Sequence, residues 1–179
     1  PVNPFKIVRH VGMVVLFLGL CMSTSVVWAV LDRAHDAASL REWVLSMLLA
    51  VAVGGLATGL GRRGRRSRSQ RQVDHRDAHE LNRREALVIV SVSWLACAVF
   101  GGLPFLLCGM VETPVDAFFE AMSGFTTTGS TILIDIESNT RAALWWRSMI
   151  QWMGGMGIIV LFVAIFPHSG AGGRRLFES

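Results

Sequence analysis

The sequence predicts an all-α integral membrane protein, in which two N-terminal transmembrane helices precede one membrane–pore–membrane repeat with a re-entrant half-helix and a filter loop. Three observations predict this fold. The 179-residue chain is 52% hydrophobic, and its long apolar blocks approach the roughly 20 residues that cross a bilayer core. A strongly basic loop separates the second block from the third. A short apolar helical pattern then runs into a threonine- and glycine-rich turn before the last block.

Four apolar blocks account for the predicted spans: Val11–Leu31, Trp43–Leu60, Ala86–Val111 and Ser148–Phe166. Their order divides the chain into an N-terminal transmembrane helix pair (1–60), a basic cytoplasmic loop (61–85), a membrane–pore–membrane repeat (86–167) and a cytoplasmic segment (168–179). Lys6 and Arg9 precede the first block, as basic residues do in a secretory signal peptide. The block is longer than the usual signal core of about 7–15 residues, which favours a retained helix.

Small residues in the apolar blocks suggest close helix packing. Gly55 and Gly59 in the second block form a small-xxx-small pattern, with a chance match in a glycine-rich span as the alternative. The three cysteines, Cys21, Cys97 and Cys108, lie in apolar segments without metal-ligand spacing and are interpreted as small buried side chains. Neither paired carboxylates nor a Ser–His or metal-ligand pattern indicates an enzyme.

Charge predicts the orientation of the chain. The loop Gly61–Glu85 is rich in arginine, and short loops rich in Lys and Arg stay on the cytoplasmic side. The basic residues before the first block place the N-terminus on that side, as Arg174 and Arg175 do for the end of the last block. These ends agree only if residues 113–143 leave and return on the outer side, which predicts a re-entrant segment. Contact of the arginines with anionic lipid or a cytoplasmic partner is an alternative to a plain topology signal, and nucleic-acid binding is disfavoured.

The re-entrant segment begins with a helix-start signal. Thr113 suits the N-cap, Pro114 suits the first helical position, and Asp116 can complete a capping box. The helix is expected to run to about Ser123 and to stop at Gly124. Ten to twelve residues rise roughly 15–18 Å, about half a membrane. The C-terminal end of such a helix carries partial negative charge and favours cations.

The run Thr126–Thr131 that follows is the candidate ion site. Irregular backbone at membrane depth is tolerated only where it is buried in protein or lines a watery cavity. Small residues, with Gly129 permitting unusual backbone geometry, can direct several carbonyls at a dehydrated cation, as in potassium filters. An ordinary turn is the alternative. Asp135 and Glu137 would concentrate cations at the mouth or simply be solvated.

Two charged residues, Glu120 and Arg147, interrupt apolar sequence beside this run. Ionisable residues at membrane depth usually have partners, so we expect them to pair and brace the pore helix. In the alternative, Glu120 caps nearby amides and Arg147 extends to the interface. Trp145, Trp146 and Trp152 fit an interfacial aromatic belt.

The segments FFEAMSGFTTTGST and WWRSMIQWMGGMGIIVLFVAIFP resemble the first pore repeat of Trk/Ktr-type potassium transporters, and the TrkH branch in particular. The resemblance is strong over about Val115–Pro167 and looser before it. It implies four potassium-channel-like repeats around one pore in a single chain, with two additional helices before the first repeat. Those helices correspond to the first two apolar blocks.

The resemblance implies that Thr127, Thr128, Gly129 and Ser130 line the filter, with potassium bound at Thr127 and Thr128. Gly129 matches the family's filter glycine, which leans towards potassium over sodium. The run departs from Thr-Val-Gly-Tyr-Gly at Thr128, Ser130 and Thr131, so a looser filter is implied.

The function expected from these residues is potassium uptake across the cell inner or plasma membrane, with the chain as the N-terminal part of a longer transporter. One repeat supplies a quarter of a carbonyl ring, so further repeats of the same chain, or other copies, must complete it. The resemblance also implies a cytoplasmic nucleotide-binding regulatory subunit and a homodimer of the full-length protein. A sodium-permeable transporter and a non-transporting truncated scaffold are the alternatives.

Overall fold

The computed structural model describes residues 4–32, 37–69 and 83–165 and is helical. Its helices are α1 (Pro4–Leu31), α2 (Ala37–Ser69), α3 (Arg83–Leu107), α4 (Pro114–Phe125) and α5 (Arg141–Ile165). Three of them contain segments long and apolar enough to cross a membrane: Pro4–Leu31, Leu40–Arg63 and Ala86–Leu107. The all-helical architecture predicted from the sequence is therefore confirmed. The fourth apolar block lies in α5 except for Phe166, which is outside the described residues, as are Arg174, Arg175 and most of the basic loop.

α1 and α2 pack side by side and antiparallel through glycines. A Cβ on Gly12 would lie 2.7 Å from Ala57 Cβ, and one on Gly54 would lie 2.5 Å from the Leu16 nitrogen. Backbones can approach this closely only where side chains are absent. A Cβ added to Gly55 or Gly59, the predicted contact pair, would have no described atom of another element within 4 Å. The glycines of α2 that contact α1 are instead Gly54 and Gly61. The sequence pattern therefore identified the right helix but the wrong face of it.

α3 ends earlier than the predicted span, which extended to Val111. Gly109 adopts a φ of +69°, and the amide of Met110 donates to the Phe105 carbonyl while that of Gly109 donates to Leu106. This pair of bonds is a Schellman motif, which closes a helix where a left-handed residue follows it. The apolar residues up to Val111 therefore belong to the turn that leads into α4.

The short helix α4 lies between α3 and α5. Its twelve residues rise about 18 Å, too little to cross a bilayer core. It runs antiparallel to α3, because Gly102 contacts Ala117 and Gly101 contacts Phe125. It runs parallel to α5, because Gly124 contacts Ile150 and the next residue, Phe125, contacts Gly154. Thus α4 and α5 begin at the same end of the bundle, and the chain reverses between them.

Gly54→Ala should loosen the α1–α2 contact, and Gly55→Ala should not. Overpacking a methyl group against the Leu16 backbone costs about 1–3 kcal/mol, whereas a methyl at Gly55 meets nothing and adds about 1 kcal/mol of helix propensity. Thermal unfolding of the detergent-purified full-length protein measures both. Equal losses for the two variants would contradict the packing described here.

Candidate functional site

The start of α4 has the N-cap that its sequence predicts, but the described bonds do not include the reciprocal one, from the Thr113 amide to Asp116, that would complete a capping box. Thr113 has extended backbone angles, and its side-chain oxygen accepts a hydrogen bond from the Asp116 amide at 3.1 Å. Pro114 occupies the first helical position, where its missing N–H costs nothing. The helix continues two residues beyond the expected end, to Phe125. Gly124 does not end the helix. It packs against Ile150 of α5, where a Cβ would lie 2.6 Å from the isoleucine side chain.

Glycines on both neighbouring helices admit α4 into the bundle. A Cβ on Gly102 would lie 2.6 Å from the Ala117 carbonyl oxygen, and one on Gly154 would overlap that of Phe125. The first turn of α4 is therefore held at backbone contact distance from α3, and its last turn at backbone contact distance from α5. Gly155 has only an ordinary contact with Thr127 at 3.7 Å, so Gly154 is the glycine of this α5 cluster whose absent side chain makes room.

The amides after α4 turn back onto its last carbonyls. The Thr127 N–H donates to Gly124 at 2.9 Å, and the Thr128 N–H donates to the Ser123 carbonyl at 3.0 Å. This is a second Schellman motif. The Gly129 amide shares the Ser123 carbonyl at 3.4 Å. The partial negative charge expected at this helix end is therefore largely taken up by the chain's own amides.

The same bonds direct the carbonyls of the run outward. The N–H and C=O of a trans peptide plane point in opposite directions. Because the Thr127, Thr128 and Gly129 amides face α4, the carbonyls of the preceding residues, Thr126 to Thr128, face away from it. Thr127 and Gly129 have φ values of +57° and +75°. A β-branched residue at positive φ is uncommon and strained, whereas glycine adopts it freely.

Beyond Ser130, the run is held by the carboxylate of Glu120, a buried residue. Its Oε1 accepts the Thr131 hydroxyl at 2.6 Å and the Ile132 amide at 2.7 Å. Its Oε2 accepts Nη1 of Arg147, which also reaches the Thr131 hydroxyl oxygen at 3.4 Å. The structure thus places Glu120 against Arg147 and against neighbouring amides at once, so the two readings of Glu120 coexist.

Further side-chain bonds, unforeseen from the sequence, hold the ends of the run. The Ser123 hydroxyl donates to the Ser130 carbonyl at 2.6 Å, and the Trp94 indole donates to the Phe125 carbonyl at 3.2 Å. Neither residue stands in a recognisable motif.

Asp135 accepts the amides of Glu137 and Ser138 at 3.1 and 3.3 Å, as an exposed turn residue does.

The tryptophans differ in role. Trp152 is exposed, as a residue of an interfacial belt is. Trp146 is fully buried, and its indole donates to the Gly101 carbonyl at 2.8 Å, which ties α5 to α3. Trp145 is partly exposed and donates to the Thr24 hydroxyl of α1 at 3.0 Å. The belt expected from the sequence is therefore wrong for Trp146, because its ring and its N–H both find partners inside the bundle.

Chemically, the arrangement offers neutral oxygens. In the described part of the chain, no group of three or more His, Cys, Asp or Glu side chains could hold a metal ion. Residues 126–130 are exposed and carry hydroxyls and carbonyls. Such oxygens suit a weakly held alkali cation.

The fold and this segment define a helical membrane protein with a short helix and an oxygen-lined turn inserted between longer helices. The sequence model of the family TrkH, cation transport protein, matches residues 66–179. The chain therefore belongs to the TrkH family of cation transport proteins, a family of transporters and not of enzymes. This confirms the resemblance seen in the sequence.

Similar proteins agree with this assignment. The Trk system potassium uptake proteins TrkH of Salmonella typhimurium and of Escherichia coli K12 are each 38% identical over 175 residues, which is 97% of this chain and 33% of theirs. The crystal structure of the potassium transporter TrkH from Vibrio parahaemolyticus matches with a TM-score of 0.74 at 33% identity, over 94% of this chain and 33% of that one. The chain thus spans about a third of the length of these relatives.

Arg147→Met should be more damaging alone than together with Glu120→Gln. Removing one partner of a buried ion pair costs about 3–5 kcal/mol, and the carboxylate side chain is 2% exposed. A neutral amide at 120 needs no counter-charge and still offers an oxygen to the Ile132 N–H, so the double variant should recover part of the loss. The wild type, the two single variants and the double variant are compared by their yield of folded full-length protein and by their potassium uptake.

Arg141→Met is the matched control, because Arg141 lies on the same helix but is 73% exposed and 3.8 Å from Asp32. Exposed pairs are worth about 0–1 kcal/mol, so this variant should behave as wild type. If Arg147→Met and the double variant lose equal amounts, the two side chains do not act as a pair.

Proposed function

We propose that this chain supplies one quarter of the filter of a potassium uptake transporter, with Thr127, Thr128, Gly129 and Ser130 lining it and potassium bound at Thr127 and Thr128. The observation that carries the proposal is the orientation of the Thr126 to Thr128 carbonyls, which face away from α4 because the amide that follows each of them donates to the helix. Successive carbonyls on one side of a strand can replace the hydration shell of a cation. No covalent step is involved.

The relatives support potassium as the transported ion. The TrkH proteins of Salmonella typhimurium and Escherichia coli are both named potassium uptake proteins. Gly129 lies at positive φ, a conformation that a larger residue adopts only with strain. We therefore assign Gly129 as the residue that sets the shape of the run, and Glu120 and Arg147 as the pair that braces it.

The remaining three quarters of the ring are proposed to come from the rest of a longer chain, since the relatives are about three times as long. Each unpaired backbone group left in lipid would cost several kcal/mol. In this proposal α4 enters from the outer side of the cell inner or plasma membrane and the N-terminus is cytoplasmic. A cytoplasmic nucleotide-binding regulatory subunit and a second copy of the full-length protein are its proposed partners.

Growth of potassium-starved cells that lack other uptake systems tests the function, with sodium added as competitor. The full-length wild-type gene should restore growth. Gly129→Ser should raise the potassium requirement and increase inhibition by sodium, because strain of about 1–3 kcal/mol at this position displaces the neighbouring carbonyls. Thr128→Ala should alter ion preference in the same assay.

Gly109→Ser is the matched control. Gly109 has nearly the same φ, +69°, with nothing within 4 Å of a Cβ, but it lies in the turn after α3. It should lose a similar amount of stability without any change of ion preference. Unchanged growth and ion preference in both Gly129→Ser and Thr128→Ala would refute the filter assignment, and failure of the wild-type gene would refute potassium uptake.

A further inference from the structure

The carbonyl of Ser130 is turned towards α4, unlike those of Thr126 to Thr128. Ser123, in the last turn of α4, donates its hydroxyl to this carbonyl at 2.6 Å. Ser123 is 7% exposed, so the donor is buried, whereas Ser130 is exposed. A hydrogen bond of this length favours one orientation of the Ser130 peptide plane.

The other carbonyls of the segment divide into two kinds. The Phe125 carbonyl accepts the Trp94 indole at 3.2 Å, and the Thr126 carbonyl accepts the Thr127 hydroxyl at 2.7 Å. Within the described residues, the carbonyls of Thr127, Thr128 and Gly129 accept no hydrogen bond. Three consecutive free carbonyls are therefore bounded on both sides by carbonyls that already have donors.

We propose that Ser123 is a positioning residue that ends the coordinating run at Gly129 by holding the Ser130 carbonyl on the pore helix. The inference rests on the proposed function and narrows it: Ser130 lines the pore mouth, but its carbonyl does not replace water around the cation. Ser123 acts through the backbone of residue 130, so the Ser130 side chain is not required.

Loss of the Ser123 hydroxyl frees the Ser130 carbonyl. A carbonyl left facing a buried site without a donor loses the free energy of about one hydrogen bond, and it regains a partner by rotating towards the pore. A fourth oxygen then enters the run and changes the balance between hydrated and coordinated cation. The number and field strength of the oxygens decide which cation is preferred, so ion preference changes along with affinity.

The test is rubidium uptake by the full-length transporter in cells, with rubidium as the potassium tracer and sodium as the competitor. Ser123→Ala should change the half-saturating rubidium concentration by about fivefold, the factor that one hydrogen bond is worth, and should reduce discrimination against sodium. The maximal rate per folded transporter should stay near wild type. Cysteine is similar to serine in volume and is a weak donor. Ser123→Cys should therefore change the half-saturating rubidium concentration and the sodium discrimination in the same direction as Ser123→Ala, but by less.

Ser148→Ala is the control, since Ser148 is an exposed serine of α5 whose hydroxyl also donates to a backbone carbonyl, that of Leu144, at 3.1 Å; it should match wild type in every measure. Wild-type half-saturation and sodium discrimination in both Ser123 variants would overturn the inference. So would a change confined to the amount of folded protein or the maximal rate, because that is the sign of a purely structural role. If the wild-type transporter itself takes up no rubidium, the proposed function fails, and this outcome is distinct from the others.

Discussion

The structure around α4 and the turn that follows it depends on one constraint: a peptide group away from water needs a hydrogen-bond partner. The chain meets it unevenly. The amides that follow α4 donate to carbonyls of its last turn, so the donors of the loop and the acceptors of the helix satisfy each other. Among the described residues, the carbonyls of Thr127, Thr128 and Gly129 are the three consecutive carbonyls of the turn that accept no hydrogen bond. A helix too short to cross the membrane thus provides the acceptors that orient the loop.

This arrangement requires α4 to lie very close to its neighbours, which explains the distribution of glycine. Gly102 on α3 allows backbone contact with the first turn of α4, and Gly154 on α5 allows backbone contact with its last turn. The buried indole of Trp146 then bonds the Gly101 carbonyl and joins the two outer helices directly. Close packing and hydrogen bonding therefore serve the same end, since each limits how far the helix end, and with it the turn, can shift.

The sequence predicted much of this because several signals are local. The cap at Thr113, the helical spans and the position of the threonine-rich turn follow from residue order and apolar runs. The bonds of Ser123 and Trp94 could not be predicted, because a lone serine or tryptophan in an apolar helix has no pattern that names a distant acceptor. The packing face of α2 was misjudged for a related reason. Gly54 and Gly55 are adjacent in sequence but lie about 100° apart around a helix, and only the neighbouring helix distinguishes them.

Thr127 adopts a strained backbone conformation, and its side chain contacts the backbone of the turn. A left-handed residue is needed where the Schellman motif closes α4, and glycine would adopt that conformation without cost. Threonine at a φ of +57° instead carries strain of about 1–3 kcal/mol. Its side chain offers what glycine lacks: the hydroxyl occupies the Thr126 carbonyl at 2.7 Å, and the methyl carbon lies near Gly155. Thr127 therefore bounds the free carbonyls on the side of α4, and Ser123 bounds them at Ser130.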